Sequence, residues 1–249
     1  MRFHLKVWRQ EGPEAPGRFF DYDVDDVIPE MSLLEMLDKL NEELLKKGTP
    51  PIVFESDCRE GICGTCGMVV NGSAHGPQPK TTTCEIRMRH FQDGETVTIE
   101  PFRAAAFPVQ KDLLVERAGL DKVIQAGGYT SAYTGTHAEA NAILVPKDDQ
   151  EYAMDAAACI GCGACVAACP NSSAMLFVAA KIAHLGALPQ GMPEEAKRAL
   201  SMTEIMQEEG FGACSNHLEC QAVCPKGIQV ETIARLNRAF LKASLKRQA

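Results

Sequence analysis

Hydrophobic and polar residues alternate at the start of the chain, as they do in a half-buried strand. Phe3, Leu5 and Val7 are separated by polar residues, and this period of two predicts a first strand. The segment 12–17 is rich in Gly and Pro, which is turn chemistry. A second strand is therefore predicted over Arg18–Val24, running back beside the first.

The next segment carries leucines at helical spacing. Ser32 is followed three residues later by Glu35, which is the pattern of a capping box and predicts that a helix begins here. Gly48 and Pro50 predict its end. The apolar face is expected to contain six leucines: Leu33, Leu34, Leu37, Leu40, Leu44 and Leu45.

A further strand is predicted over 96–100, after a loop that carries four cysteines. Two strands, a helix, a cysteine loop and a closing strand predict a β-grasp domain over residues 1–107. From residue 108 to residue 249 strand patterns nearly vanish, and we expect an all-α domain of bacterial-ferredoxin type. The fold class is thus α+β. Helices are predicted over 111–119, 173–185, 193–209 and 229–245, and 127–146 is expected to be an irregular surface insertion.

Charge and hydropathy exclude several classes of protein. The formal net charge of −8 argues against a nucleic-acid partner, because phosphate binding requires a basic face. The first ten residues carry charges where a secretory signal has an apolar core. The longest apolar stretch, 174–189, is interrupted by Lys181 and His184 and is too short to span a membrane. Met175, Leu176 and Phe177 in this stretch are expected in a helix core rather than at a docking surface.

The eleven cysteines are the main chemical signal. An odd count excludes complete pairing into disulfides, and their close spacing favours metal binding. The first group is Cys58, Cys63, Cys66 and Cys84. Gaps of four and two residues followed by a distal cysteine are the plant-type [2Fe–2S] pattern. Gly61, Gly64 and Gly67 are expected to let backbone N–H groups approach the sulfurs and to adopt φ values that other residues disfavour. The alternative is a zinc site, which favours paired C-x₂-C knuckles.

Two further groups follow the bacterial ferredoxin run C-x₂-C-x₂-C-x₃-C-P. Residues 159–170 match it in full, and residues 214–225 match it except that His217 replaces the second cysteine. In such pairs the fourth cysteine of each run serves the other cluster. This rule predicts two ligand sets: Cys159, Cys162, Cys165 and Cys224 for a [4Fe–4S] cluster, and Cys169, Cys214 and Cys220 for a [3Fe–4S] cluster.

The three predicted sets use every cysteine in the chain. The role of His217 stays open: it is a ligand to a fourth iron, a hydrogen-bond donor or proton carrier near the cluster, or a surface residue.

The combination resembles the iron–sulfur subunit of succinate dehydrogenase and fumarate reductase. The resemblance covers nearly the whole chain and is carried by CREGICGTCG at 58–67, PFRAAAFPVQKDLLVER at 101–117 and CQAVCPKGI at 220–228. It implies an electron-transfer subunit of succinate:quinone oxidoreductase, in the tricarboxylic acid cycle. The succinate chemistry would lie on a separate FAD-containing subunit, so no catalytic residue is expected here.

The resemblance also implies the partners and the location. The electrons would reach a quinone at a membrane-anchor subunit with haem b, on the cytoplasmic face of the bacterial inner membrane. Pro170 and His217 are the quinone-proximal candidates. Family members that are better known have tryptophans after the fourth cysteine of the first ferredoxin run, whereas Trp8 is the only tryptophan here. The quinone pocket is then expected to be built differently or to lie closer to the anchor subunit. The sequence resembles the bacterial branch with a single diheme anchor, which usually uses menaquinone.

Three alternatives remain at this stage. The complex could work in reverse as a fumarate reductase, or the chain could serve another flavin-linked dehydrogenase, such as a thiol-dependent fumarate reductase or a heterodisulfide reductase partner. Those other complexes add CCG-type modules, and this chain has no adjacent cysteine pair. A free ferredoxin shuttle is disfavoured by the size and by the junction sequence.

Overall fold

The computed structural model of the chain describes residues 1–131 and 145–248. A small domain built on a sheet is followed by a helical domain. The strands are β1 Phe3–Arg9, β2 Arg18–Val24, β3 Met68–Val70, β4 Ser73–Ala74, β5 Thr96–Pro101, β6 Val109–Lys111 and β7 Leu114–Val115. The α-helices are α1 Leu33–Lys46, α2 Ala118–Gln125, α3 Lys147–Ala157, α4 Ala164–Ala168, α5 Met175–Gly186, α6 Glu195–Glu208, α7 Glu219–Ala222 and α8 Glu231–Gln248.

The first five strands form one sheet in the order β2-β1-β5-β3-β4. Strand β1 pairs parallel with β5 and antiparallel with β2, and β3 pairs antiparallel with both β5 and β4. The central strands bury alternate residues against α1, as the period-two pattern predicts. The two predicted strands at the N-terminus and the predicted closing strand are confirmed.

Helix α1 begins at the predicted residue for the predicted reason. The Ser32 hydroxyl accepts the backbone N–H of Glu35, and the Glu35 carboxylate accepts the backbone N–H of Ser32. Five of the six predicted core leucines are buried, but Leu45 is 60% exposed. It lies next to the buried Leu44 and just beyond the apolar face, so that part of the prediction was wrong.

The predicted helix over 111–119 was also wrong. The segment instead forms the β6–β7 hairpin, and α2 begins only at Ala118. The turn is held by Asp112, whose buried carboxylate accepts backbone N–H groups from Gln10 and Val53 and an N–H from the Arg9 side chain. These long-range contacts outweigh the local helix propensity of the segment. The domain boundary after residue 107 stays a prediction, because this hairpin contacts the sheet domain.

Helix α5 is the centre of the second domain. It packs against α3, α6 and α8 and is buried over most of its length. Leu176 and Phe177 are in this core, as expected. The predicted helices over 173–185, 193–209 and 229–245 are confirmed, whereas α3 was not predicted. Most of the predicted insertion over 127–146 lies outside the described residues.

Phe102 and Phe107 join the two domains. Both are buried in the core of the helical domain although they follow the last strand of the sheet. In the parts of the chain that the structure describes, no helix has the combination of length and apolar character needed to cross a membrane.

Candidate metal centres

The first cysteine group lies in the irregular loop between α1 and β3 and in the 3₁₀ turn Thr83–Glu85. Cys66 and Cys84 are buried and hydrogen-bonded to each other, while Cys58 and Cys63 are partly buried. The hydrogen bond from Cys66 lowers the pKa of Cys84 to about 6, with help from the Thr82 hydroxyl at 3.2 Å. The loop therefore brings the distal cysteine to the other three.

Backbone N–H groups surround the sulfur of Cys58. Those of Glu60, Ile62 and Cys63 donate to it at 3.3, 3.5 and 3.3 Å. Burial acts against ionisation of Cys63, but the Thr65 hydroxyl and N–H and the Cys58 contacts lower its pKa to about 7. Donors aimed at thiolate sulfurs stabilise the negative charge of an iron–sulfur cluster.

Two glycines make this loop possible. Gly61 has φ +68°, and its N–H donates to the sulfur of Cys84. Gly64 has φ +77°, and its α-carbon lies against the backbone of residues 160–162 in the second domain. A side chain at either position would be strained and would meet neighbouring atoms. Gly67 differs from the expectation: its φ is not left-handed, and it leaves room for the ring of Phe102.

The second predicted set lines one cavity. Cys159, Cys162 and Cys165 come from the loop before α4 and the helix itself, and Cys224 follows α7 by two residues. Burial raises the pKa of the first three thiols, that of Cys162 to about 12. Buried thiols of this kind ionise when a metal takes the place of the proton. The Ile228 N–H donates to the Cys224 sulfur at 3.3 Å.

The third predicted set lines a different cavity, of about 290 Å³. Cys169, Cys214 and Cys220 are all in its wall, and His217 is there as well. Burial raises the pKa of Cys220, and the neighbouring Cys214 and Cys169 raise it further. Pro170 follows Cys169 and is exposed.

The donor chemistry of these sites is uniform. Each set consists of cysteine sulfurs, and within residues 1–131 and 145–248 no three Cys, His, Asp or Glu side chains are arranged to hold a single metal ion. All-thiolate sets with nearby N–H donors fit iron–sulfur clusters. The cysteine residues present at the three sites therefore fit iron–sulfur clusters.

Comparisons with known proteins agree with this chemistry. Residues 4–122 match the family model described as a 2Fe-2S iron-sulfur cluster binding domain, and residues 155–228 match a 4Fe-4S dicluster domain. The succinate dehydrogenase iron-sulfur subunit of Bacillus subtilis is 28% identical over 87% of this chain and 85% of its own length. The fumarate reductase iron-sulfur subunit of Wolinella succinogenes is 27% identical over 96% and 98%.

The chain is thus homologous to the iron–sulfur subunits of succinate dehydrogenase and fumarate reductase, and it contains their two kinds of cluster-binding domain.

Two further comparisons concern a longer relative and a solved structure. One subunit of the fumarate reductase (CoM/CoB) of Methanothermobacter marburgensis is 28% identical over 91% of this chain, but the match covers only 42% of that relative. A chain of the Mycobacterium smegmatis Sdh1 complex in the apo form has the same fold, with a TM-score of 0.67, 22% identity and coverage of 100% and 98%. The predicted fold class is thereby confirmed.

Sequence reasoning missed two residues that hold the cysteine loops in place. His75 is 1% exposed; the backbone N–H of Thr83 donates to its Nδ1 at 3.3 Å, and the Thr83 hydroxyl lies 3.0 Å away. Burial and the nearby Arg117 lower the pKa of His75 to about 4. The imidazole is therefore neutral, and it fixes the residue before Cys84.

Arg117 is the second missed residue, and it contacts both domains. Its Nη1 donates to the carbonyl of Gly64 at 2.6 Å and to that of Cys162 at 3.3 Å. No periodicity or spacing rule marks either residue. His75 lies in a loop without periodicity, and Arg117 ends the stretch 101–117 that carries the resemblance but reads there as one more charge near the end of the predicted helix. Their roles depend on contacts between distant segments.

Proposed function

We propose that this chain is the iron–sulfur electron-transfer subunit of a succinate dehydrogenase (succinate:quinone oxidoreductase). It connects the FAD-containing subunit to a quinone, menaquinone, at a membrane anchor with haem b. In the cell it is held as a peripheral subunit on the cytoplasmic face of the bacterial inner membrane. The relatives named above support the subunit class, and their names cover both directions of the reaction.

One observation carries the proposal: the cysteines of the two ferredoxin runs line two different cavities, one with four thiols and one with three. The residues that would hold the [2Fe–2S] cluster are Cys58, Cys63, Cys66 and Cys84. Those for the [4Fe–4S] cluster are Cys159, Cys162, Cys165 and Cys224, and those for the [3Fe–4S] cluster are Cys169, Cys214 and Cys220. When bound, such clusters supply one-electron chemistry.

The crossing of the two ferredoxin runs is supported by cavity lining. Cys224 belongs to the second run but lines the cavity of the first three cysteines. Cys169 belongs to the first run but lines the cavity with Cys214 and Cys220. The latter cavity contains one thiol fewer, and His217 stands where the fourth is missing. This supports a cluster with three irons at the third site.

The side chains around the proposed third cluster also suit the approach of a quinone as the final electron acceptor. Beside the thiols and His217 the cavity there is lined by apolar residues of two helices, among them Met175 of α5 and Ile233 of α8. Trp8 is remote from this role, because it lies in β1 and packs against Phe19 and Arg103. A pocket without tryptophan supports the menaquinone branch that the resemblance indicates.

Electron paramagnetic resonance of the anaerobically purified complex tests the proposal. We expect an oxidised-state [3Fe–4S] signal, a [2Fe–2S] signal on mild reduction, and about nine irons per chain. Rates of succinate oxidation and fumarate reduction, measured with a menaquinone analogue, decide the direction. Gel filtration of native extract distinguishes a complex subunit from a free carrier.

Two alanine variants test the ligand sets. Cys169→Ala should abolish the [3Fe–4S] signal and preserve the [4Fe–4S] signal. Cys224→Ala should abolish the [4Fe–4S] signal and preserve the [3Fe–4S] signal, to which a second three-iron cluster on the remaining three cysteines can add. If Cys169→Ala abolished the [4Fe–4S] signal instead, each run would serve its own cluster and the assignment would be wrong.

A further inference from the structure

Arg117 joins the cysteine loop of the sheet domain to the first ferredoxin run. Its Nη1 donates to the Gly64 carbonyl, between Cys63 and Cys66, and to the carbonyl of Cys162. Its Nη2 donates to the Glu55 carboxylate at 3.0 Å. One guanidinium thus binds the main chain of the first loop and the main chain of the second.

The loops are in direct contact at the same place. A Cβ built on Gly64 would lie 2.6 Å from the Ile160 carbonyl oxygen and 3.1 Å from the Cys162 Cα. The Arg117 side chain is 19% exposed, whereas Glu55 is 46% exposed. The positive charge therefore lies inside the contact, and its counter-charge lies toward the solvent.

We propose that Arg117 is a positioning residue that fixes the separation of the first and second cluster sites and raises the reduction potential of both. The inference rests on the proposed function, since it requires clusters on both cysteine sets. The guanidinium can donate to several carbonyls at once from a planar fork, which an ammonium cannot reproduce. A partly buried cation is screened little by salt, so it favours the reduced, more negative state of each neighbouring cluster.

The variants separate charge from geometry. Arg117→Gln removes the positive charge and retains an amide N–H donor. Arg117→Lys retains the charge but lacks the planar set of N–H donors of the guanidinium. Glu55→Gln removes the counter-charge and should act in the opposite direction from Arg117→Gln. Lys122→Gln is the matched control, because Lys122 is an exposed cation of α2 that pairs with Glu209.

Redox titrations of the intact complex, followed by paramagnetic resonance, give the readout. For Arg117→Gln we expect both the [2Fe–2S] and the [4Fe–4S] midpoint potentials to fall by at least the equivalent of a tenfold change in the reduced-to-oxidised ratio, about 59 mV. Glu55→Gln should raise them, and Lys122→Gln should leave them unchanged. Arg117→Lys should keep the wild-type potentials but lose its clusters at a lower temperature.

Unchanged potentials in Arg117→Gln with full iron content would overturn the electrostatic role. Wild-type heat resistance of the clusters in Arg117→Lys would overturn the positioning role. If Arg117→Gln loses its iron, Glu55→Gln tests the effect of charge and Arg117→Lys tests the positioning role. Unchanged potentials in Glu55→Gln would then overturn the charge effect. Absence of [2Fe–2S] and [4Fe–4S] signals in the wild-type complex would instead contradict the proposed function.

Discussion

The backbone of Gly64 lies against that of Cys162, so that residue 64 has no room for a side chain: a Cβ there would be 3.1 Å from the Cys162 Cα. This is the point at which a loop of the sheet domain and a loop of the helical domain touch. Both loops carry proposed cluster ligands, and the contact therefore sets how closely the two cluster sites approach.

The first prediction concerns this contact. Gly64→Ala should destabilise the protein more than the left-handed conformation alone requires, because the methyl group would meet the Ile160 carbonyl oxygen 2.6 Å away. Gly72 is the matched control, since its φ of +78° is nearly that of Gly64 but no atom lies within 4 Å of the position that an alanine methyl group would take.

The left-handed conformation costs about 1–2 kcal/mol for an alanine, which corresponds to a fall in Tm of roughly 2–8 °C in a protein of this size. We expect Gly72→Ala to stay in this range and Gly64→Ala to exceed it, with earlier bleaching of the clusters on heating. Equal effects of the two substitutions would show that the loops can separate without cost.

The second prediction concerns the hairpin between the domains. Asp112 is 1% exposed and bonds Arg9, which is 11% exposed, as well as two backbone N–H groups. Asp112→Ala leaves the buried guanidinium without its carboxylate, which costs about 3–5 kcal/mol. Chemical denaturation of the isolated chain, with each variant compared to wild type, gives the difference in unfolding free energy.

The adjacent Lys111 provides the control for this measurement. Its ion pair with Glu11 is exposed, so Lys111→Ala should change the unfolding free energy by less than about 0.5 kcal/mol. A similarly small effect of Asp112→Ala would mean that the hairpin is not held by its buried carboxylate.

The same hairpin shows what the sequence can and cannot predict. The alternation of Phe3, Leu5 and Val7 and the Ser32–Glu35 capping box are local signals, and the elements that they predict are present. The segment 111–119 has good helix formers, but its conformation is decided by Asp112 bonding to residues about 60 and 100 positions away. No periodicity within the segment carries that information.

The candidate sites divide in the same way. Cysteine spacing groups the proposed ligands because iron–sulfur clusters impose short, fixed gaps, and the cysteines of the second and third predicted sets line two separate cavities. Arg117 and His75 have no spacing rule, since each acts on backbone atoms of a segment remote in sequence. They become visible only when those segments are placed side by side.

The third prediction is a pH dependence that arises from His75. Burial lowers the pKa of His75 to about 4, from an unfolded value near 6.5, so the unfolded chain binds more protons between these pH values. Stability from this group is complete above pH 6.5 and is lost as the pH falls toward 4. Between pH 8 and pH 5.5 the loss amounts to about 1.4 kcal/mol.

His75→Asn removes this titration. Asparagine tolerates the left-handed φ of +64° at this position and can still accept the Thr83 N–H. We expect the variant to be less stable at pH 8, since it loses the contact with Phe102, but to show a shallower fall in unfolding free energy toward pH 5.5. If the unfolding free energies of variant and wild type fell in parallel with decreasing pH, His75 would not be the source of the pH dependence.

The fourth prediction concerns the position at which the second ferredoxin run departs from the pattern. His217 lines the same cavity as Cys169, Cys214 and Cys220, between Asn216 and Leu218, which both have left-handed φ values. His217→Cys would supply a fourth thiolate at the spacing of a complete run. We expect the oxidised-state [3Fe–4S] signal to disappear and the iron content to rise from about nine to about ten per chain.

His217→Ala is the control, because it removes the imidazole without adding a thiolate. It should leave the [3Fe–4S] signal and the iron content of the wild type in place, since three cysteines suffice for that cluster. If the [3Fe–4S] signal were absent from the wild type and present in His217→Ala, the imidazole would be the ligand of a fourth iron. In that case His217→Cys would exchange one ligand for another, and the iron content would remain at about ten.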